Sequence, residues 1–457
     1  MSQSALFFGI LDKALPFAMA FLGALVLTLL VTPLIRELNR SLGMVDRPGP
    51  RRINANPVPR GGGIAIVIGV FVSYTLFVLV SGRHPFPSAN MSVASFWKML
   101  SLATAISVLG LADDRFGLRP LVKLAGQLVI ASLVWIWAGL GFSGVWPSLP
   151  PVADFALTVF WITGAVNAFN LIDGLDGLAT GIALIATLGM AGSLFIVDTP
   201  AAAIFYFALA GGLLGFLRYN YNPASVFLGD AGSMFIGFMI SSLALASQVH
   251  DSLFVSVGVP LLAMGVPIFD SSLAIMRRSV RHMLMKQGEN GVGNDRIMTA
   301  DADHLHHRIL RAFHFDQRRA ALALYAIALG AVIVGLAAMT MRSKTGGLWL
   351  VAVAIGSVVV FKNMARIELF DVGRLLELIA HDTRIEKRTF WARLAIPAYL
   401  VLDIAALAGS FVFMIFSTNV GMKVTHYTLA LLVHVLSTLV ALLLAGTYRT
   451  VWSRAMM

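Results

Sequence analysis

In the stretch Asn167-Ala168-Phe169-Asn170-Leu171-Ile172-Asp173-Gly174-Leu175-Asp176-Gly177-Leu178, two carboxylates and two carboxamides fall within ten residues. The stretch lies between two long apolar runs, in a chain of which only 12% is charged. A carboxylate in or beside a membrane segment is expensive, so it marks a functional position. Asn170, Asp173 and Asp176 stand at i, i+3 and i+6, and on a helix end they would share one face. Gly174 and Gly177 instead allow a tight turn with close backbone approach to a ligand. Either geometry makes an oxygen-rich site suited to magnesium and to phosphate held through it.

Three further clusters carry the same kind of chemistry. Asp113 and Asp114 are adjacent at the end of an apolar run. Neighbouring carboxylates repel, which suits metal ligation or proton acceptance. Asp230 stands between Gly229 and Gly232 at the start of another run, where free N–H groups of a helix start favour phosphate. Just before it, Phe227 either stacks on a base or packs in lipid. His304, His306, His307 and Arg308 crowd one basic segment. With no cysteine in the chain, zinc gives way to magnesium as the expected metal, and these side chains become donors to phosphate or sugar oxygens. A fifth segment, Pro57-Val58-Pro59-Arg60-Gly61-Gly62-Gly63, excludes helix and offers an anion-binding nest beside Arg60. Asp270, near the end of an apolar run after Pro267, reads as a satisfied polar group inside the bundle.

These residues need elements to position them, and composition says which. The chain has 457 residues, is 58% hydrophobic and has a mean hydropathy of +0.83. That is a polytopic helical membrane protein. Thirteen spans are expected, near 15–35, 62–82, 93–112, 121–140, 153–169, 178–197, 201–218, 231–248, 252–276, 320–341, 346–361, 395–416 and 427–447. The first is too long for a signal-peptide core and has no small-residue cleavage pattern behind it. With the N-terminus outside, inner segments hold 28 of the 34 basic residues, which orients the chain. All four polar clusters then fall on the cytoplasmic face. The net charge of +11 is read as loops facing anionic lipid and anionic substrates, not nucleic acid.

In this order and spacing, the motifs resemble those of the polyprenyl-phosphate N-acetylhexosamine-1-phosphate transferase family. They are Asp-Asp after span three, Asn-x-x-Asp-Gly-x-Asp-Gly-Leu-Ala after span five, Phe-x-Gly-Asp-x-Gly-Ser before span eight and His-x-His-His-Arg before span ten. The resemblance covers about residues 15 to 362. It implies an all-α core of eleven spans over residues 1–362, with two additional spans in residues 363–457. It also implies transfer of a sugar-1-phosphate from a UDP-linked N-acetylhexosamine to undecaprenyl phosphate, releasing UMP, at the cytoplasmic face of a bacterial inner membrane. The expected cofactor is Mg2+, with Mn2+ as a substitute. The family's metal ligand falls on Asp230, and its base or nucleophile on Asp113 and Asp114. Asp173 and Asp176 join that catalytic set of carboxylates. Nucleotide and phosphate contacts fall on Asn170, Asp173, Asp176, Asn220 and Phe227; His304, His306, His307 and Arg308 form the sugar-side loop, with Arg60 as a further substrate contact. Where many members carry a histidine in the first loop, this chain has Asn54.

The form His-Leu-His-His-Arg implies a UDP-N-acetylglucosamine donor first. The Pro-Arg-Gly-Gly-Gly loop is also found with UDP-N-acetylfucosamine-type donors, and UDP-MurNAc-pentapeptide is the donor of a nearby branch. A secondary transporter or flippase is the rival of another class. It would show mid-membrane polar residues and internal repeats. The associations left open are a homodimer and a glycan-pathway partner held by residues 363–457. Those residues are similar to the membrane part of sugar-nucleotide dehydratases and read as a docking module.

Overall fold

In the computed structural model, the residues described are 3–46, 57–82, 92–144, 146–247, and parts of 260–271 and 309–340. The helices among them belong to one compact unit. They are α1 (Gln3–Ser41), α2 (Ile64–Ser81), α3 (Val93–Phe116), α4 (Pro120–Ile136), α5 (Pro151–Ile172), α6 (Leu178–Ile196), α7 (Ala203–Asn220), α8 (Gly229–Ala246) and α9 (Gln317–Thr340). Eight of these are long and apolar enough to cross a membrane, and α4 is a shorter apolar helix. They correspond to the first eight expected spans and the tenth. The expected spans at 346–361, 395–416 and 427–447 lie outside the described residues, as does most of 252–276.

One departure from an all-helical chain is a two-residue antiparallel ribbon, β1 (Val45–Asp46) on β2 (Val58–Pro59), with Val45 opposite Pro59. Proline forbids helix here, and the ribbon hands its edge on: Phe227 N donates to Pro59 O at 2.8 Å.

The centre of the bundle is α8. Apart from Asp230, all of its residues are buried. The sequence explains this, because it is apolar or small on every side and has no face for solvent. It packs mainly against α3 and α5. Small residues permit that closeness: a Cβ on Gly237 would lie 2.6 Å from Ala165 O of α5. The outer helices show the opposite pattern. On α1, Leu22, Leu30, Leu34 and Leu38 are exposed, as expected of a surface facing acyl chains.

The start of α8 is fixed from two sides. A Cβ on Gly63 would fall 2.1 Å from Gly232 Cα, so the loop before α2 meets α8 backbone to backbone. Gly229 has φ +72°, and a Cβ there would lie 2.6 Å from Asp114 Oδ2. Asp230 therefore opens the most constrained helix of the bundle.

Candidate active site

The chain turn between α3 and α4 builds half of the site. Gly117 ends α3 in the left-handed region, its N–H bonded to Asp113 O. Leu118 N then donates to Asp113 Oδ1 at 2.7 Å, and Pro120 starts α4. This reversal brings Lys123, in the first turn of α4, back over Asp113: Nζ and Oδ2 are 2.9 Å apart.

The other half comes from α5 and α8. Asn170 Nδ2 donates to Asp230 Oδ1 at 2.7 Å and to Ser233 Oγ at 3.0 Å. Its Oδ1 accepts from Lys123 Nζ at 3.0 Å, and Lys123 is also ion-paired with Asp230 Oδ2. Three oxygens, from Asp113, Asn170 and Asp230, thus converge on one ammonium group. Two carboxylates and an amide carbonyl are the donors a hard divalent cation takes, and here they already surround a positive charge. The residues present fit magnesium.

Asp114 has another placement. Its Oδ1 accepts from Asp230 N and its Oδ2 from Ala231 N, each at 3.0 Å. It caps α8 from a neighbouring helix, where a carboxylate meets the positive end of the helix dipole. Two expectations therefore change. These N–H groups are not free for phosphate, because Asp114 takes them. Nor are Gly62 N and Gly63 N an open nest, because they donate to Phe227 O and Leu228 O at 2.9 Å.

Asp173 ends α5 and is half-buried. No hydrogen bond reaches its carboxylate from the described residues. Burial pushes its pKa well above the usual value, and the charges of Asp230 and Asp114 add to this while Arg60 pulls the other way. It is the one carboxylate of this group without a donor among the described residues. Asp176 is buried and used: Oδ2 accepts from Asn222 Nδ2 at 2.9 Å and Ala224 N at 3.0 Å, fixing the loop between α7 and α8. Burial raises its pKa, and these two bonds oppose the rise. Asn220 is 2% exposed. It accepts from Thr180 Oγ1 at 2.8 Å and donates to Val226 O at 3.1 Å, so its amide spans the same loop. Phe227 is half-buried. Arg60 is exposed, 3.7 Å from Asp46. His304, His306, His307, Arg308 and Asn54 lie outside the described residues.

Sequence reasoning missed Lys123, counting it only among inner basic residues. The signal was present: it is the one charged residue of α4, and Gln127 follows one turn later. Gln127 Oε1 accepts from Asn167 Nδ2 at 2.7 Å, so α4 and α5 are joined by two polar steps on one stripe.

Residues 96–248 match the family described as glycosyl transferase family 4. These residues hold all of α4 to α8, α3 but for its first three residues, and the whole oxygen cage. Over 366 residues the chain is 32% identical to the Bacillus subtilis protein named "Probable undecaprenyl-phosphate N-acetylglucosaminyl 1-phosphate transferase", covering 77% of this chain and 92% of that protein. The chain belongs to this family. It is 33% identical to the decaprenyl-phosphate N-acetylglucosaminephosphotransferase of Mycolicibacterium smegmatis, covering 67% of this chain and 78% of that one. It is 26% identical to the undecaprenyl-phosphate alpha-N-acetylglucosaminyl 1-phosphate transferase of Escherichia coli K12, covering 65% and 77%. The family assignment follows the motifs that the described structure brings together at one end of the bundle.

Proposed function

We propose that the protein transfers N-acetylglucosamine-1-phosphate from UDP-N-acetylglucosamine to undecaprenyl phosphate, releasing UMP and starting a lipid-linked envelope glycan. The observation that carries this reading is the convergence of Asp113, Asn170 and Asp230 on a single cation position, in a chain related to proteins named for that reaction. In this reading the site faces the cytoplasm of a bacterial inner membrane with the N-terminus outside. Residues 1–362 are the transferase core, and residues 363–457 are a docking extension.

An oxygen of the lipid phosphate forms a bond to the sugar-bearing phosphorus, and the bond from that phosphorus to the bridging oxygen breaks. UMP leaves with the electron pair. Little covalent work falls to the protein; positioning and charge stabilisation do most of it. Asp230, Asp113 and Asn170 would hold Mg2+, or Mn2+ in its place, which neutralises charge on the pyrophosphate. Asp114 keeps Asp230 in place through the start of α8. Asp173, open on its acceptor side and raised in basicity, takes the proton of the lipid phosphate or orients it. Asp176 and Asn220 shape the loop that carries Phe227 to the nucleotide.

A transporter reading finds no support in the charge distribution. In the described apolar spans, the first taken as Ala14–Ser41, every Asp, Glu, Lys and Arg lies within about two turns of an end, not at mid-bundle. Donor choice falls to His304, His306, His307 and Arg308. The test is mass spectrometry of the lipid product made by the purified protein from a panel of UDP-sugars. A product carrying N-acetylhexosamine-1-phosphate is expected from UDP-N-acetylglucosamine, and none from UDP-MurNAc-pentapeptide. A pentapeptide product, or one formed only from a deoxy sugar such as UDP-N-acetylfucosamine, overturns the donor assignment.

A further inference from the structure

The three oxygens that face Lys123 share one property. Each belongs to a side chain that is held by a second partner. Asp113 is fixed through its other oxygen by Leu118 N at 2.7 Å. Asp230 is fixed through its other oxygen by Asn170 Nδ2 at 2.7 Å. Asn170 is fixed through its amide nitrogen by Ser233 Oγ at 3.0 Å. Lys123 is therefore not what shapes the cage. Remove the ammonium and three preorganised oxygens remain, two of them on carboxylates, aimed at one point. Among the described residues, Lys123 has its ammonium held by the three cage oxygens alone. It sits in the first turn of α4, its side chain retains 14% of its exposure, and four methylenes let the head swing without moving the helix.

We infer that Lys123 is a resident counter-ion for the cation site. Its ammonium and a divalent cation are mutually exclusive occupants of the Asp113–Asn170–Asp230 cage, and metal binding releases the lysine. This rests on the proposed magnesium-dependent transfer and goes beyond it. Without the lysine, two carboxylates that face each other would repel in a partly buried setting, which is costly. With it, part of that charge is offset until a divalent cation arrives. The released ammonium then stands beside the cage, free to meet the anionic substrates, so charge is exchanged and not merely added. Such competition lowers the apparent metal affinity of the substrate-free protein by the free energy of the lysine contacts, because the competent state is only a fraction of the population.

The test uses the purified full chain in detergent, without nucleotide, and Mn2+ as the probe. Free Mn2+ is read from its six-line paramagnetic resonance signal. Lys123→Met keeps the stem and removes the charge, and should bind Mn2+ at least ~10-fold tighter than wild type, a typical coupling between competing ligands. Lys123→Gln serves as a second neutral variant, and elution as a single peak confirms folding of both. Arg60→Met removes the same unit charge from nearby but outside the cage, and should change the affinity much less. On the wild-type protein, Mg2+ should raise the rate at which an amine-directed reagent labels Lys123, read by peptide mass spectrometry. Equal Mn2+ affinity in wild type and both lysine variants, weaker binding in the variants, an equal gain in Arg60→Met, or labelling indifferent to Mg2+ overturns the inference. Asp230→Asn separates the two ideas. If it abolishes Mn2+ binding while the lysine variants match wild type, the metal reading stands and the exchange falls. If no form binds Mn2+, both fall.

Discussion

The two ends of α5 carry buried polar groups of different construction. At its N-terminal end Asp154 is 2% exposed. It accepts from Trp135 Nε1 at 2.9 Å, Ser143 N at 3.2 Å and Thr158 Oγ1 at 3.3 Å. Its donors are neutral and close at hand in sequence, and they tie the α4–α5 connection to the head of α5. At the other end, roughly 30 Å along the helix, Asn170 and Asp173 stand with Asp113, Asp114 and Asp230. Lys123 is the one ammonium within hydrogen-bonding reach of this group among the described residues, and Arg60 acts from further out. The first cluster is closed, with hydrogen bonds matched to its charge. The second holds more negative charge than its donors offset. A fold has no use for such an excess, and a site receiving cations and phosphates does.

The sharpest way to break this contrast is at Asp230. Asp230→Asn keeps the shape and removes one cage charge. Transfer of sugar-phosphate to lipid should fall by roughly 10²–10³-fold, the range seen when a preorganised charge partner of a transition state is lost. Thermal stability should hold, since the carboxylate contributes repulsion as well as contacts. Activity near wild type at saturating magnesium would remove Asp230 from the metal site.

Asp154 should give the reverse outcome. Asp154→Ala takes the acceptor from the indole N–H of half-buried Trp135, a loss worth about 1–3 kcal/mol of stability. Melting should come earlier, while transfer per folded molecule stays unchanged. A variant that melts like wild type but loses transfer would mean the two ends are coupled through α5.

The same contrast marks what the sequence made legible. Helices α1 to α9 follow from hydropathy alone, because a bilayer demands long apolar helices with their polar groups at the ends. Asp113, Asn170, Asp173 and Asp230 stand out for the same reason: charge is rare in this chain, so each carboxylate at a span end is conspicuous. What was not legible is the division of labour. Asp113 and Asp114 are neighbours in sequence, yet a helix turns them about 100° apart. One faces Lys123 and the other caps α8. The resemblance offers Asp176 and Asn220 as nucleotide contacts, and no sequence pattern announces that both also hold the loop between α7 and α8. The glycines at 61–63 look like a nest, and Gly63 instead meets the backbone of Gly232, a contact that no local pattern announces. Lys123 was hidden by its own type, since lysines near span ends are ordinary. Asp154 was hidden by the opposite fact, that a lone Asp beside Pro150 and Pro151 reads as the first turn of a helix. Tertiary partners decide each of these, and single-sequence patterns do not contain them.

The smallest expected effect is also the finest probe of the contrast, because it reads charge excess without reading turnover. In metal-free buffer, Asp173 is half-buried, and burial, with the charges of Asp230 and Asp114, holds its pKa well above the usual 3.8. A carboxyl with a higher pKa folded than unfolded binds its proton more tightly in the folded chain. Its stabilising contribution is full below the unfolded value and is lost as pH rises through the folded one. Asp173→Asn keeps the side chain neutral at every pH. The variant should therefore melt close to wild type near about pH 4, pull ahead as pH rises, and hold a constant lead once wild-type Asp173 is fully ionised. Melting followed by intrinsic fluorescence across that range is the measurement. A lead that stays constant from acid to alkaline pH would show that Asp173 titrates as an ordinary carboxylate. A wild type that gains on the variant with rising pH would show that its charge is already compensated, and the site would then be closed at both ends of α5. Adding Mn2+ should shrink the lead at high pH, since a cation in the cage relieves the repulsion from Asp230 that Asp173 otherwise bears.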